Sequence, residues 1–171
     1  MRKPLWLVLL LTTLFLWYGT ALFPFVHVWP FAPFLATLFH RVPFISALWI
    51  SSFVGLAMDL TSSQYPFAVF SISHVVCTVF LYSQKRHFFE DKPIGFCLFS
   101  ALISTFLSLI VIFFSFFFSS KIPLTLSSFF FDLILMPPID ALYALIWVLT
   151  PTTLYGYIRR YVIIKKLSEN S

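Results

Sequence analysis

The sequence predicts an all-α integral membrane protein, built as a six-transmembrane-helix bundle. Of its 171 residues, 60% are hydrophobic, only 10% are charged and 24 are phenylalanine. A soluble domain of this size would need many more charged side chains to cover its surface. Apolar runs recur along the chain and are interrupted by short groups of proline and basic residues. This is the pattern of membrane-spanning helices.

Six apolar segments follow one another in the single domain formed by residues 1–171. The first, 5–23, follows two basic residues and is long enough to stay as an anchor rather than be cleaved as a signal peptide. The second, 25–39, is short and contains prolines, so it would cross only a thinned or partly re-entrant path. The other four spans are predicted at 44–60, 65–83, 94–118 and 139–158.

The segment 124–136 lies between the fifth and sixth spans and is too short to cross a bilayer comfortably. Pro137 and Pro138 follow it and remove two backbone donors, so we expect a helix break there. The segment 124–136 is therefore predicted to lie at the outer surface or to re-enter the membrane.

The basic residues set the predicted orientation. With six crossings and the N-terminus inside, ten of the 11 basic residues are cytoplasmic and only Lys121 lies outside. Without the second crossing, eight would lie outside, against the positive-inside rule. Both termini are therefore predicted to be cytoplasmic. The basic tail at 155–166 is expected to bind anionic lipid. The other basic residues form small clusters between apolar runs, and this distribution gives no support for nucleic-acid binding.

Asp59 ends the third predicted span and is the main candidate for a functional site. A carboxylate in an apolar segment is costly unless it has a partner, and at the end of a helix the macrodipole disfavours it. Donors are expected from the Thr61, Ser62 and Ser63 turn or from His74 in the next span. The alternative interpretation is a hydrated interfacial acid that caps the turn.

Three further polar residues fall inside or beside apolar segments. We expect His74 to bond to a neighbouring helix, and Asp140 to cap or start the last span. Asp132 has only apolar neighbours in sequence, so it faces either a polar seam in the bundle or water at the interface.

The sequence contains no catalytic constellation. It has no HExxH motif, no P-loop and no nucleophile turn, and its four histidines share no metal-ligand spacing. Cys77 and Cys97 lie in apolar segments and are interpreted as small lipid-facing or core residues. We therefore expect a protein that is not an enzyme and has no metal and no cofactor.

Residues 53–62, reading FVGLAMDLTS, resemble a characteristic stretch of the rod shape-determining protein MreD family, as do the six spans and the proline-containing segment 29–34 before Arg41. In that family a Gly-Leu-x-x-Asp-Leu-x-Ser stretch ends the third span. Gly55, Asp59, Leu60 and Ser62 fall on its positions. The family usually has a glycine shortly afterwards, where this chain has Pro66-Phe67-Ala68.

This resemblance implies a non-enzymatic subunit of the cell-elongation machinery in the bacterial inner membrane. Its implied partners are the bitopic protein MreC, the actin-like MreB, and the peptidoglycan synthase RodA with its transpeptidase partner.

The fold of the MreD family is similar to the substrate-binding subunits of energy-coupling-factor vitamin transporters, which supplies an alternative function. Such a subunit would need a polar outer pocket, for which Asp59, His74 and Asp132 are candidates. Transporter subunits usually carry a small-xxx-small motif in the first span, however, and here that span holds bulky leucine, phenylalanine and tryptophan.

Overall fold

A computed structural model of the chain describes residues 5–22, 29–62, 66–88, 93–118 and 130–169. These residues form helices and no strand. Among these residues, three helices are long and apolar enough to cross a membrane, Phe44–Thr61, Ile94–Phe114 and Phe131–Ile158, and two apolar helices are shorter, Leu5–Tyr18 and Val69–Leu81. The predicted all-helical membrane class is confirmed for the described residues. The number of six crossings stays a prediction.

Within the described ranges, six helices precede the C-terminal one: α1 (Leu5–Leu22), α2 (Ala32–Arg41), α3 (Phe44–Thr61), α4 (Val69–Leu81), α5 (Lys85–Phe88) and α6 (Pro93–Phe118). The C-terminal helix joins a π-helical segment (Phe131–Leu135), α7 (Met136–Tyr143), a second π-helical segment (Ala144–Leu149) and α8 (Thr150–Glu169). The most extensive packing is between α3 and α4, and α6 contacts α2, α4 and the C-terminal helix.

Helix α2 forms the centre of the bundle. All residues from Ala32 to Phe39 are buried, so the helix has no lipid-facing side along that stretch. Its ten residues span only about 15 Å, half the thickness of the hydrocarbon core. Lys85 Nζ donates to Phe39 O at 2.8 Å, which places a positive charge at the negative end of the helix dipole. The predicted second span at 25–39 is thus a shorter, buried helix that starts later, and residues 23–28 lie outside the described ranges.

The expected helix break at Pro137 and Pro138 is wrong. The backbone stays helical from Phe131 to Glu169. The prolines lie in the first turn of α7, directly after a π-helical segment in which Met136 N–H bonds to Phe131 O. Prolines inside a membrane helix are tolerated where a local π-helical adjustment provides for the backbone groups that lose a partner. Residues 130–136 are therefore continuous with the last helix, whereas 124–129 lie outside the described ranges.

The core is built from large side chains of α2 and α6. Phe39, Leu35 and Leu38 of α2 and Phe99, Ile103 and Leu107 of α6 are all almost fully buried. Cys77 and Cys97 are free and buried, and both belong to the same core cluster. Of the two interpretations of the cysteines, the structure supports the core.

Candidate functional site

The carboxylate of Asp59 lies at the N-terminus of α4 and accepts three hydrogen bonds from it. Oδ1 accepts from Phe70 N at 2.9 Å, and Oδ2 accepts from Ser71 N at 2.9 Å and from Ser71 Oγ at 2.7 Å. Phe70 and Ser71 are the second and third residues of α4, so their amides have no partner within the helix. Asp59, although it belongs to α3, supplies the cap that α4 lacks.

This arrangement explains how an acid is tolerated at the end of α3. The negative end of the α3 dipole disfavours the carboxylate, but the positive end of α4 favours it. Asp59 is only 7% exposed. At such a site each hydrogen bond to a charged acceptor contributes about 1.5–3 kcal/mol to the stability of the fold. Asp59 therefore stabilises the α3–α4 pair.

Gly55 lies one helical turn before Asp59 and permits the close approach of the two helices. A Cβ atom at this position would lie 2.6 Å from Ser71 Cα and 2.7 Å from Phe70 O. Both are backbone atoms, so neither can move aside without moving α4. The absence of a side chain at Gly55 thus lets the start of α4 reach the carboxylate.

Ala68 precedes α4 with a φ of 76°, in the left-handed region that favours glycine. It is the only non-glycine residue with positive φ in the described ranges. Its methyl side chain makes no capping hydrogen bond, which leaves the N-terminus of α4 free to be capped by Asp59. The strained turn directs the chain back towards α3.

Of the donors predicted for Asp59, Thr61, Ser62 and His74 are wrong, although its placement at the α3–α4 turn is right. Thr61 Oγ1 donates to Met58 O at 3.0 Å, and Ser62 N bonds to the same carbonyl at 3.0 Å, so both complete the end of α3 instead. Ser63 lies outside the described residues. Leu60 is 74% exposed and points away from this contact.

A second buried carboxylate, Asp140, holds three parts of the bundle together. Its Oδ1 accepts from Trp29 N at 3.1 Å, and its Oδ2 accepts from the hydroxyl of Ser104 in α6. Asp140 is 0% exposed and lies within the C-terminal helix. The prediction that it caps or starts the last span is wrong, because its partners are a distant backbone amide and another helix.

Trp29 connects the two carboxylate sites. Its amide binds Asp140, and its indole Nε1 donates to Ser108 Oγ at 2.7 Å. Its ring packs edge-on against Phe70, at 5.8 Å between centroids, and against His74, at 6.3 Å. Phe70 in turn donates its amide to Asp59. Side chains from α4, α6 and the C-terminal helix thus meet at one tryptophan.

His74 is fully buried in α4 and bonds within its own helix. Its Nδ1 lies 2.8 Å from Phe70 O, so the expected bond to a neighbouring helix is not observed. It makes no hydrogen bond with Asp59. On the same face of α4, Thr78 Oγ1 donates to Ser51 Oγ of α3 at 2.9 Å.

Asp132 lies in the first π-helical segment and is half-buried. Its two proposed roles, at a polar seam or at the interface, both stay predictions. The described residues contain no group of three His, Cys, Asp or Glu side chains that could hold a metal ion.

The sequence reasoning missed four residues of these sites: Trp29, Ser71, Ser104 and Ser108. One signal was present for two of them, because Ser100, Ser104 and Ser108 recur every four residues and so share one face of α6. All three are buried. Ser71 and Trp29 carry no comparable local pattern.

No family model matches the sequence, and no curated protein or solved structure matches it. The resemblance of residues 53–62 to the MreD family therefore rests on the motif itself and on the predicted arrangement of spans.

Proposed function

We propose that this protein is a non-enzymatic subunit of the bacterial cell-elongation machinery for peptidoglycan synthesis. It acts in the inner membrane, with both termini cytoplasmic, as a helix-packing scaffold for an MreC-like bitopic protein. In that machinery it sits alongside MreB, RodA and the transpeptidase partner of RodA.

The main observation that supports the proposal is that the carboxylate of Asp59 is hydrogen-bonded to the neighbouring helix. Its two carboxylate oxygens accept three hydrogen bonds from the start of α4. A catalytic or ion-binding acid is expected to be accessible to its substrate or ion, whereas Asp59 is buried and both of its oxygens already accept hydrogen bonds from α4. The motif residues Gly55 and Asp59 fix the relative position of two helices, which is the use expected in a scaffold.

The opposite side of α3 presents a surface that suits a partner helix. Ile45, Trp49 and Phe53 recur every four residues and are 71%, 61% and 65% exposed, and Leu60 continues the same side. Helices in membranes associate by van der Waals packing and occasional hydrogen bonds, and a ridge of side chains on one helix can pack into a groove on another. We define these four residues as the outer ridge of α3 and propose it as the docking surface.

Co-purification with the MreC-like protein tests this proposal. Trp49→Ala combined with Phe53→Ala removes the centre of the outer ridge and should abolish co-purification while leaving the thermal stability of the isolated protein unchanged. The matched control is Phe113→Ala combined with Phe116→Ala, which removes two exposed side chains from α6 and should leave co-purification intact. Undiminished recovery of the partner with the outer-ridge variant would contradict the proposed docking surface.

One buried polar atom gives the transporter alternative a supporting observation. His74 Nε2 is buried and has no hydrogen-bond partner among the described residues, as expected for an atom that contacts a ligand. This alternative predicts a vitamin-sized molecule that copurifies with the protein. Native mass spectrometry of the detergent-extracted protein tests this. Detection of the protein only at the mass of the chain alone, without a bound molecule, would count against the alternative.

A further inference from the structure

The imidazole of His74 has one satisfied and one unsatisfied nitrogen. Nδ1 lies 2.8 Å from the carbonyl oxygen of Phe70. A carbonyl oxygen only accepts, so Nδ1 carries the proton and donates it. In the neutral ring this leaves Nε2 as an acceptor.

No donor reaches Nε2 within the part of the chain that the structure describes. The side chain is 0% exposed, so bulk water does not satisfy the atom either. A buried acceptor without a donor is costly. Such atoms in protein interiors are commonly satisfied by an ordered water molecule.

The packing of α4 against α6 places His74 at the level of Ser108. Phe70 of α4 and Val111 of α6 belong to one hydrophobic cluster. Further along α4, Phe80 packs on Phe106 of α6 with ring centroids 5.8 Å apart. Residue numbers therefore rise along α4 while they fall along α6, and the two helices are antiparallel. Residue 74 lies between these contacts along α4 and residue 108 lies between them along α6, so we infer that His74 faces the turn of α6 that carries Ser108.

The hydroxyl of Ser108 has an unused hydrogen-bond donor. Its Oγ accepts from Trp29 Nε1 at 2.7 Å, and Trp29 also packs edge-on against the ring of His74. A serine hydroxyl donates one hydrogen bond as well as accepting others. Among the described residues Ser108 Oγ donates to no acceptor, in contrast to Ser104, which donates to Asp140.

We propose that a water molecule is bound between α4 and α6, where it donates a hydrogen bond to His74 Nε2 and accepts one from the hydroxyl of Ser108. Both partners are polar, buried and near the indole of Trp29, and two partners are enough to hold a buried water. No bond is made or broken in this site. The proposal requires only a neutral imidazole and an intact serine hydroxyl.

The water closes a polar path between the two carboxylate sites. The path runs from Asp59 through the backbone of Phe70 to His74, then through the water and Ser108 to Trp29, and ends at Asp140. With the water in place, α3, α4, α6 and the C-terminal helix are joined by one chain of polar contacts. Such chains strengthen when every member is satisfied.

Nuclear magnetic resonance of the full chain, labelled with ¹⁵N-histidine and embedded in lipid, tests the site directly. The expected result is an unprotonated, hydrogen-bonded Nε2 of His74 that shows a cross-peak to water protons. Three results would overturn the proposal: a protonated Nε2, an Nε2 with no nearby exchangeable proton, and a cross-peak to a protein or ligand proton in place of water.

A double-mutant cycle gives an independent test. His74→Asn keeps a donor close to the position of Nδ1 but removes Nε2, and Ser108→Ala removes the hydroxyl. If both atoms hold one water, His74→Asn lowers the melting temperature in the Ser108→Ala background by about half its effect in the wild type, or less. Ser100→Ala is the matched control, because its buried hydroxyl lies two turns away on the same face of α6 and should show additive effects. Additive effects of His74→Asn and Ser108→Ala would contradict the shared water.

Discussion

Asp59 and Ser71 are joined by two hydrogen bonds, because one carboxylate oxygen accepts from both the amide, at 2.9 Å, and the hydroxyl, at 2.7 Å. The two residues belong to different helices. The contact therefore combines the capping of α4 with the packing of α3 against it, and the stability of the helix pair depends on both.

Removing the carboxylate should destabilise the protein strongly. Asp59→Ala leaves the amides of Phe70 and Ser71 without a partner, and we expect a loss of about 2–3 kcal/mol in the free energy of unfolding. Ser71→Ala removes only the hydroxyl bond and should cost about 1 kcal/mol. Thermal unfolding of both variants in the same detergent measures the difference. Equal stability of the two would contradict the capping role.

Adding a methyl group at position 55 should separate α3 from α4. In Gly55→Ala the new Cβ would meet the backbone of Ser71 at 2.6 Å, and overpacking of this kind costs about 1–3 kcal/mol. Ala57→Ser alters an exposed position on the same helix and should change stability by less than about 0.5 kcal/mol. The unfolding temperatures of both variants check this. A Gly55→Ala protein as stable as wild type would show that α4 has room to move.

The turn before α4 offers a stabilising substitution. Ala68 has a φ of 76°, and the left-handed region costs a non-glycine residue about 1 kcal/mol, so Ala68→Gly should raise the free energy of unfolding by about that amount. Ala57→Gly, inside α3, should instead lower it by about 0.5–1 kcal/mol. Denaturation measurements should therefore show a gain in the free energy of unfolding for Ala68→Gly and a loss for Ala57→Gly. A loss of stability with Ala68→Gly would contradict the observed turn.

The Asp140 site predicts a graded response to substitution. Asp140→Asn keeps a carbonyl oxygen that accepts from the Trp29 amide, whereas Asp140→Ala leaves that amide and the Ser104 hydroxyl without their acceptor. We expect Asp140→Ala to lose about 1–3 kcal/mol and Asp140→Asn to lose less. Thermal unfolding of both variants in the same detergent measures the difference. If the asparagine variant were the less stable of the two, the assigned hydrogen bonds would be wrong.

Sequence patterns predicted the all-helical membrane class correctly because long apolar runs are properties of contiguous sequence. They also placed Asp59 at the turn between two helices. They missed its donors because the usual capping rule searches the residue directly before a helix, and here that residue is Ala68. The cap comes from Asp59, nine residues earlier, and the approach that allows it depends on Gly55.

The errors in the C-terminal helix have similar causes. The rule that proline breaks a helix assumes α-helical hydrogen bonding throughout, and the π-helical segment before Pro137 changes which amides are required. Asp140 was interpreted as a cap because the two prolines suggested a helix start. Its two partners, Trp29 and Ser104, lie 111 and 36 residues away in sequence, so no local pattern could reveal them.

Amide hydrogen exchange at Phe70 and Ser71 tests the central claim most directly, namely that Asp59 caps α4. In the wild type these two amides should be as well protected as those in the middle of α4. In Asp59→Ala their protection should fall at least about tenfold, which corresponds to about 1.4 kcal/mol, while the amides of α6 near Phe99 keep theirs. Unchanged protection at Phe70 and Ser71 in a folded Asp59→Ala protein would contradict the claim.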